Sequence, residues 1–116
     1  MTNAAREQVL KDLVARRGPV PETLARLKEF PWDSGAPLVI LTRRDILALL
    51  DEYLREKVAR ESCEEWANAL ELRDDIGMEH GFEDMLKDFI FELANPTIKG
   101  PLTRSRAESW KASLGG

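Results

Sequence analysis

The sequence of 116 residues has little of several residue types on which catalysis and secretion depend. The single cysteine, Cys63, excludes an intrachain disulfide, so we expect a reducing compartment. The single histidine, His80, leaves few ways to pair a nucleophile with a base. No glycine-rich loop for phosphate is found in the sequence. These shortages disfavour an enzyme, and we predict a protein with no catalytic residue, no bound cofactor and no metal ion.

Long apolar runs are also missing from the sequence. The longest is the stretch 36–41, whereas a helix needs about 20 apolar residues to cross a bilayer. The first residues do not form the apolar core of a signal peptide. We therefore expect a cytoplasmic protein that does not enter a membrane.

The charges are unevenly distributed along the chain. Residues 61–92, which we call the acidic block, hold eleven acidic residues against two basic ones, a net charge of −9. The rest of the chain has a net charge of +5, and the whole chain has −4. An acidic balance disfavours nucleic acid as a partner. A field of one sign selects a partner of the opposite sign and speeds its approach, so we predict binding to a basic protein.

Apolar residues recur at helical spacing through most of the chain. The predicted helices cover roughly residues 4–16, 21–30, 42–57, 62–71 (or to 75, if the helix continues), 82–94 and 103–114. A loop is predicted at residues 97–102. The segment 38–41 is interpreted as a buried connection, because the sequence offers it no partner strand.

Several residues are predicted to start or stop these helices. Thr42 and Thr103 are expected as N-caps, and Ser62 with Glu65 matches the capping-box pattern S-x-x-E. Gly77 and Gly81 are expected to bracket a turn, and the Asn95-Pro96 pair is expected to end a helix.

The sum of these elements predicts an all-α fold, a compact antiparallel bundle of five or six helices. One domain is expected to span residues 1–116. Its N-terminal helices and a connecting loop occupy residues 1–41, and its core bundle occupies residues 42–116. Trp32, in the connecting loop, is predicted to be a buried anchor.

The candidate partner-binding residues lie on one face of the fourth helix and in the turn after it. They are Glu64, Asn68, Glu71, Arg73, Asp74, Asp75 and Glu79. Arg73 has no acidic residue three or four positions away on its own helix. We therefore predict that it pairs with Asp74, Asp75 or Glu79 and fixes the turn 74–81, the alternative being a mobile arginine at the surface.

Two other functions are left open by the sequence. Phe91 lies off the apolar stripe of its helix, which predicts an exposed contact in a homo-oligomer such as a homo-dimer. A metal-dependent enzyme is the second, because four potential ligands lie within seven residues. They are Asp74, Asp75, Glu79 and His80. Their spacing matches neither an EF-hand nor an H-E-x-x-H helix, so we favour solvated acids.

Cys63 is a candidate nucleophile that we interpret as structural. It shares a helix face with Trp66 and Leu70, and a free cysteine usually behaves as a small buried hydrophobe.

Residues 41–114 resemble the colicin-D-like and contact-dependent-inhibition immunity proteins of bacteria. The shared outline contains the runs D-I-L-A-L-L-D-E-Y-L, E-E-W-A-N-A-L-E and F-E-D-M-L-K-D-F-I-F-E-L, followed by a short C-terminal helix. The run W-A-N-A-L-E-L-R-D-D-I also looks like one in a related family of uncharacterised small bacterial proteins. The resemblance implies a helical bundle that blocks a basic nuclease toxin with an acidic surface. It does not cover the first forty residues.

Overall fold

The chain folds mainly into helices, as the periodic apolar residues predict, and two short strands lie among them. The structure, a computed structural model, describes residues 3–30, 36–71 and 73–115. Trp32 lies outside the described residues. The elements are α1 (Asn3–Val14), α2 (Val20–Leu27), β1 (Val39–Leu41), α3 (Arg43–Leu54), α4 (Arg60–Leu70), β2 (Ile76–Met78), α5 (Glu83–Ala94), α6 (Pro96–Lys99) and α7 (Arg104–Ser113). The described chain thus has seven helices rather than five or six, and a sheet that the sequence did not predict.

The two strands form a parallel pair, so the interpretation of residues 38–41 as a mere connection is wrong. Val39 pairs with Ile76, and Leu41 pairs with Met78. The segment is also buried only in part: Leu41 is fully buried, as expected, whereas Ile40 is 50% exposed. The partner strand escaped prediction because it has three residues and a central glycine, which are features of a turn.

Gly77 lies within β2 and does not bracket a turn. A Cβ atom at this position would lie 2.9 Å from Cδ1 of Ile40 and 3.2 Å from Cβ of Pro37. The missing side chain therefore lets Ile40 of β1 and Pro37, two residues before β1, pack closely over β2. Gly81 does lie in a turn, where its φ of +89° favours glycine.

Two of the three predicted helix caps are confirmed. The backbone N–H of Asp45 donates to Oγ1 of Thr42 at 3.3 Å, and the N–H of Thr42 donates to the Asp45 carboxylate at 2.9 Å. Thr103 accepts from the N–H of Arg106 at 3.2 Å and begins α7.

The predicted capping box at Ser62 is wrong. The helix begins at Arg60 and its N-cap is Ala59, whose methyl group cannot accept a hydrogen bond. Ser62 therefore lies inside the first turn of α4, where its N–H donates to the carbonyl of Ala59 at 3.1 Å. The helix ends at Leu70, so Asp75 is not on it.

The end of α5 is only partly as expected. Asn95 follows the last residue of α5, which confirms the predicted stop. The next residues form α6, a single turn of helix that begins at Pro96, where a loop was predicted. Proline suits the first helical turn because its missing N–H is not needed there.

One apolar core joins the N-terminal helices to the rest of the chain. Side chains of α1, α2, β1, α3, α4, α5 and α7 belong to the same buried cluster. Trp66 is buried in it and donates its indole N–H to the carbonyl of Leu13 at 2.9 Å. Phe89 and Trp110 meet edge to face, with ring centroids 5.2 Å apart. The Cα radius of gyration is 13.9 Å, near the ~13 Å typical of a compact domain of this size.

Candidate protein-binding surface

Asp75 lies inside the protein, so it does not belong to an exposed acidic surface as the sequence analysis predicted. It is 1% exposed. Its carboxylate accepts hydrogen bonds from the guanidinium groups of Arg6 and Arg73. The shortest donor–acceptor distance is 2.9 Å for each arginine. Burial acts to raise the pKa of Asp75, but the hydrogen bonds from Arg73 and Arg6 outweigh it and lower the pKa below its ordinary value.

The pairing predicted for Arg73 is confirmed. Its Nε and Nη2 atoms each lie 2.9 Å from a different oxygen of Asp75. This two-point contact fixes the guanidinium plane and orders the start of the turn before β2. Arg73 is therefore committed to a structural contact, and we do not count its charge as free.

Glu79 is also drawn into the fold. Its carboxylate accepts from the backbone N–H of Arg43 at 2.9 Å, at the start of α3, and from the Arg43 side chain at 3.3 Å. The backbone N–H, followed by the guanidinium, lowers the pKa of Glu79. The same guanidinium stacks over the ring of Phe82, with 3.8 Å from its carbon to the ring centroid. Glu79 thus joins α3 to the end of β2.

Glu64 and Glu71 are half-buried. Glu71 accepts from the side-chain amide of Asn95 at 3.0 Å. Glu64 lies 3.9 Å from Nε of Arg60, the next helical turn back, and its side chain is 18% exposed. Oε2 of Glu64 is buried and has no hydrogen-bond partner among the described residues.

Asn68 and Asp74 are the two predicted binding residues that are exposed. Three further exposed carboxylates lie nearby in the sequence, on α4 and on α5. None of the four carboxylates has an ion-pair partner among the described residues. We call these four the free carboxylates: Glu65, Asp74, Asp84 and Asp88. Within the described residues, α4 and α5 pack against each other more extensively than any other two elements.

Three of the free carboxylates are not among the binding residues predicted from the sequence. Glu65 belongs to the predicted capping box, and Asp84 and Asp88 lie on the exposed side of α5, away from its buried residues. Glu65 and Asp88 could have been marked by the absence of a basic residue three or four positions away on the helix. This signal does not mark Asp84, because Lys87 lies three positions after it.

A groove of about 560 Å³ lies between β2 and α5, and none of the free carboxylates is among its lining residues. We call it the β2 groove. Its apolar lining consists of Pro37, Leu70, Ile76, Met78, Ile90 and Phe91. Its charged lining consists of Glu71, Arg73, Glu83 and Lys87. Two of the predicted binding residues, Glu71 and Arg73, are therefore part of its wall.

The four residues considered as metal ligands are not brought together. Asp75 faces inward to two arginines, Glu79 faces Arg43, and the fully exposed ring of His80 lies 3.5 Å from Glu83. Among the described residues, no three His, Cys, Asp or Glu side chains are grouped so that they could hold a metal ion.

Cys63 is buried in the core, which confirms its structural interpretation. Burial raises the pKa of its thiol to about 11. The thiol is therefore protonated at neutral pH and is a poor nucleophile.

No described helix is both long enough and apolar enough to cross a membrane. No protein-family model matches the chain, and no match was found among curated proteins or among solved structures.

Proposed function

We propose that this protein is a non-catalytic module that binds a basic partner protein through the free carboxylates. The observation that carries the proposal is that Glu65, Asp74, Asp84 and Asp88 are exposed and form no ion pair with any described residue. Carboxylates that serve the fold here, such as Asp75 and Glu79, are instead paired with arginines. The free carboxylates are the part of the acidic block whose charge is available to another molecule.

The physical basis is long-range attraction. Like charges held on one surface repel each other, and a basic surface removes that repulsion on binding. Exposed charges act mainly on the association rate, because they steer a partner before contact is made. The effect weakens as salt shortens the screening length to about 8 Å at 0.15 M ionic strength.

In its most concrete form, the partner is a basic nuclease toxin and this protein is its cytoplasmic immunity protein, as the resemblance of residues 41–114 implies. The free carboxylates would then occupy the positions of nucleic-acid phosphates on the toxin. The antiparallel bundle predicted from the sequence is the scaffold that we propose for this surface.

The test is charge reversal with a matched control. The protein is used to isolate its partner from the native cell, and association is then timed at low and high salt. The variant D84K/D88K changes two free carboxylates on α5. The control E22K/E29K makes the same change in net charge at two exposed glutamates outside the acidic block. Asp84 and Glu22 each lie in the first turn of a helix. Each variant therefore loses one negative charge that stabilises a helix N-terminus.

We expect D84K/D88K to slow association about tenfold at low salt, and the control to slow it much less. The difference should shrink as salt is added. Association that does not depend on salt, or a partner with no basic surface, would contradict the proposal.

A homo-oligomer is the second candidate, and exposed apolar side chains favour it. Phe91 on α5 is 41% exposed, as the sequence predicted, and Ile98 on α6 is 70% exposed. Sedimentation equilibrium of the wild type and of F91S/I98S would test it. A wild-type dimer that the variant dissociates would support self-association, and a monomer at high concentration would exclude it.

A further inference from the structure

The β2 groove has the size and the lining of a site for a small molecule. Its volume of about 560 Å³ falls within the roughly 300–1,000 Å³ of ligand pockets, which are mostly apolar and carry a few polar groups. Leu70, Ile76 and Ile90 are each at most 5% exposed and belong to its apolar lining. Phe91, which is 41% exposed, adds an aromatic ring. An apolar side chain placed in the groove would therefore exchange water for apolar contacts.

The charges that line the groove balance each other. Two carboxylates stand against two cations: Glu71, Glu83, Arg73 and Lys87. Asp75 does not cancel the charge of Arg73, because the same carboxylate is shared with a second arginine. The lining has no net charge, so it does not favour an occupant with a net charge of either sign.

Arg73 and Glu83 already have partners in the fold. Both oxygens of Asp75 accept hydrogen bonds from Arg73, each at 2.9 Å. Glu83 lies in the first turn of α5, where helix N–H groups favour a negative charge, and it accepts the N–H of Gly81 at 2.8 Å. Neither side chain therefore depends on an occupant of the groove to stabilise its charge.

Glu71 and Lys87 differ in this respect, because neither forms an ion pair with a described residue. Glu71 accepts one hydrogen bond, from the neutral amide of Asn95 at 3.0 Å. Lys87 is exposed. Among the described residues, one carboxylate and one ammonium group of the lining thus lack an ion pair. A molecule with one ammonium group and one carboxylate would supply a partner to each.

The groove also offers backbone groups, along the edge of β2 that does not face β1. In a parallel pair with this register, residues 75, 77 and 79 direct their backbone groups to β1. The N–H and C=O groups of Ile76 and Met78 therefore point away from β1, and no hydrogen bond within the described chain uses them. An extended chain can pair with such groups at alternate residues. An occupant that contains peptide groups therefore suits this edge.

We propose that the β2 groove binds a short apolar peptide with free termini. The main chain of the peptide pairs with the edge of β2, its terminal ammonium group meets Glu71, and its terminal carboxylate meets Lys87. Since β2 has three residues, a peptide of about three residues, roughly 10 Å long, matches it. The site goes beyond the proposed function, because none of the free carboxylates lines it and it needs no basic partner.

The probe is a set of tripeptides built from alanine, valine, leucine and phenylalanine, all with free termini. Each is added at millimolar concentration to the full-length protein, and NMR spectra of the backbone amides report binding. We expect members of the set to shift the amide signals of Ile76 and Met78 and to slow hydrogen exchange at both positions. That readout needs no variant.

Blocking the peptide termini tests the two charges separately. The tightest binder is compared with its N-acetylated form and with its C-terminal amide, each of which lacks one charge. Each change should weaken binding about tenfold, because each removes a hydrogen bond between charged groups. A peptide that binds equally well with either end blocked would overturn the proposal.

Two substitutions are matched to the blocked peptides. K87M should weaken binding of the free peptide about tenfold and leave binding of the C-terminal amide unchanged, because the amide has no charge for Lys87 to meet. E71Q should likewise weaken binding of the free peptide and leave binding of the N-acetylated form unchanged. The controls K28M and E29Q remove the same charges at exposed positions outside the groove and should leave all binding unchanged.

Failure of every tripeptide to bind would overturn the proposal, and so would binding that leaves the amides of Ile76 and Met78 unprotected. Equal effects of K87M on the free peptide and on its amide would also reject the assigned contact. The proposed function is tested apart from this site, since it fails through salt-independent association of the natural partner.

Discussion

The carboxylate of Asp75 lies 2.9 Å from the guanidinium of Arg6, across 69 positions of the sequence. Both side chains are at most 5% exposed. The carbonyl of Asp75 also accepts the N–H of Leu38 at 2.8 Å. Asp75 therefore links α1 to the sheet. It also holds in place Arg73, which lines the β2 groove.

Replacing Asp75 with Asn should destabilise the protein by about 3 kcal/mol, because it removes the carboxylate that holds two arginines in a buried site. Urea denaturation followed by circular dichroism measures the change. The adjacent Asp74 provides the control, because it is exposed. D74N should change stability by less than about 0.5 kcal/mol. Equal effects of the two substitutions would show that the buried contact contributes nothing.

The Asp75 contact should also be lost in acid. The pKa of Asp75 is lower in the folded protein than its ordinary value of 3.8. Stability from this group is therefore fully present above that value and disappears as the pH falls through the lowered pKa. The difference in unfolding free energy between wild type and D75N should be constant from pH 7 to pH 5 and shrink below about pH 4. A difference that stays constant to pH 2 would contradict the assignment.

Thr42 and Ser62 give opposite expectations for the same substitution. T42A should cost about 1 kcal/mol, because Thr42 caps α3 and exchanges hydrogen bonds with Asp45. S62A should be neutral or should stabilise by less than about 0.5 kcal/mol, because Ser62 lies inside α4, where alanine is the better helix former. Thermal unfolding of both variants tests the two helix starts. A larger loss at Ser62 would mean that α4 begins there.

Cys63 should be unreactive in the folded protein. Its thiol is buried and has a pKa of about 11, so little thiolate forms at pH 8. We expect modification by a disulfide reagent to be at least about a hundredfold slower in the native protein than in urea. Rapid modification of the native protein would indicate an accessible, activated thiol.

Much of the helical structure could be predicted because it depends on neighbours in the sequence. The apolar spacing of α5 placed Leu86, Phe89 and Ile90 inside, and all three are buried. The cap at Thr42 was predictable because its partner Asp45 is three residues away. Ser62 shows the limit of this reasoning: a capping pattern is local, but packing determines where a helix begins.

The sheet and the buried ion pairs could not be predicted in the same way. Neither β1 nor β2 has enough residues to be stable alone, so each forms only where the other is present. Glu79 joins Arg43 only because β2 ends beside the start of α3. Such contacts arise from the approach of distant segments, which no local pattern records.

The sequence by itself determined the amount of negative charge, its concentration in residues 61–92 and the helices that carry most of it. Only the tertiary structure decided which of those charges are free. Asp74 and Asp75 are adjacent and chemically identical, yet one is exposed and the other is buried between two arginines. The physical reason is that a carboxylate leaves water only where compensating donors converge on it, and here one of those donors, Arg6, comes from the far end of the chain.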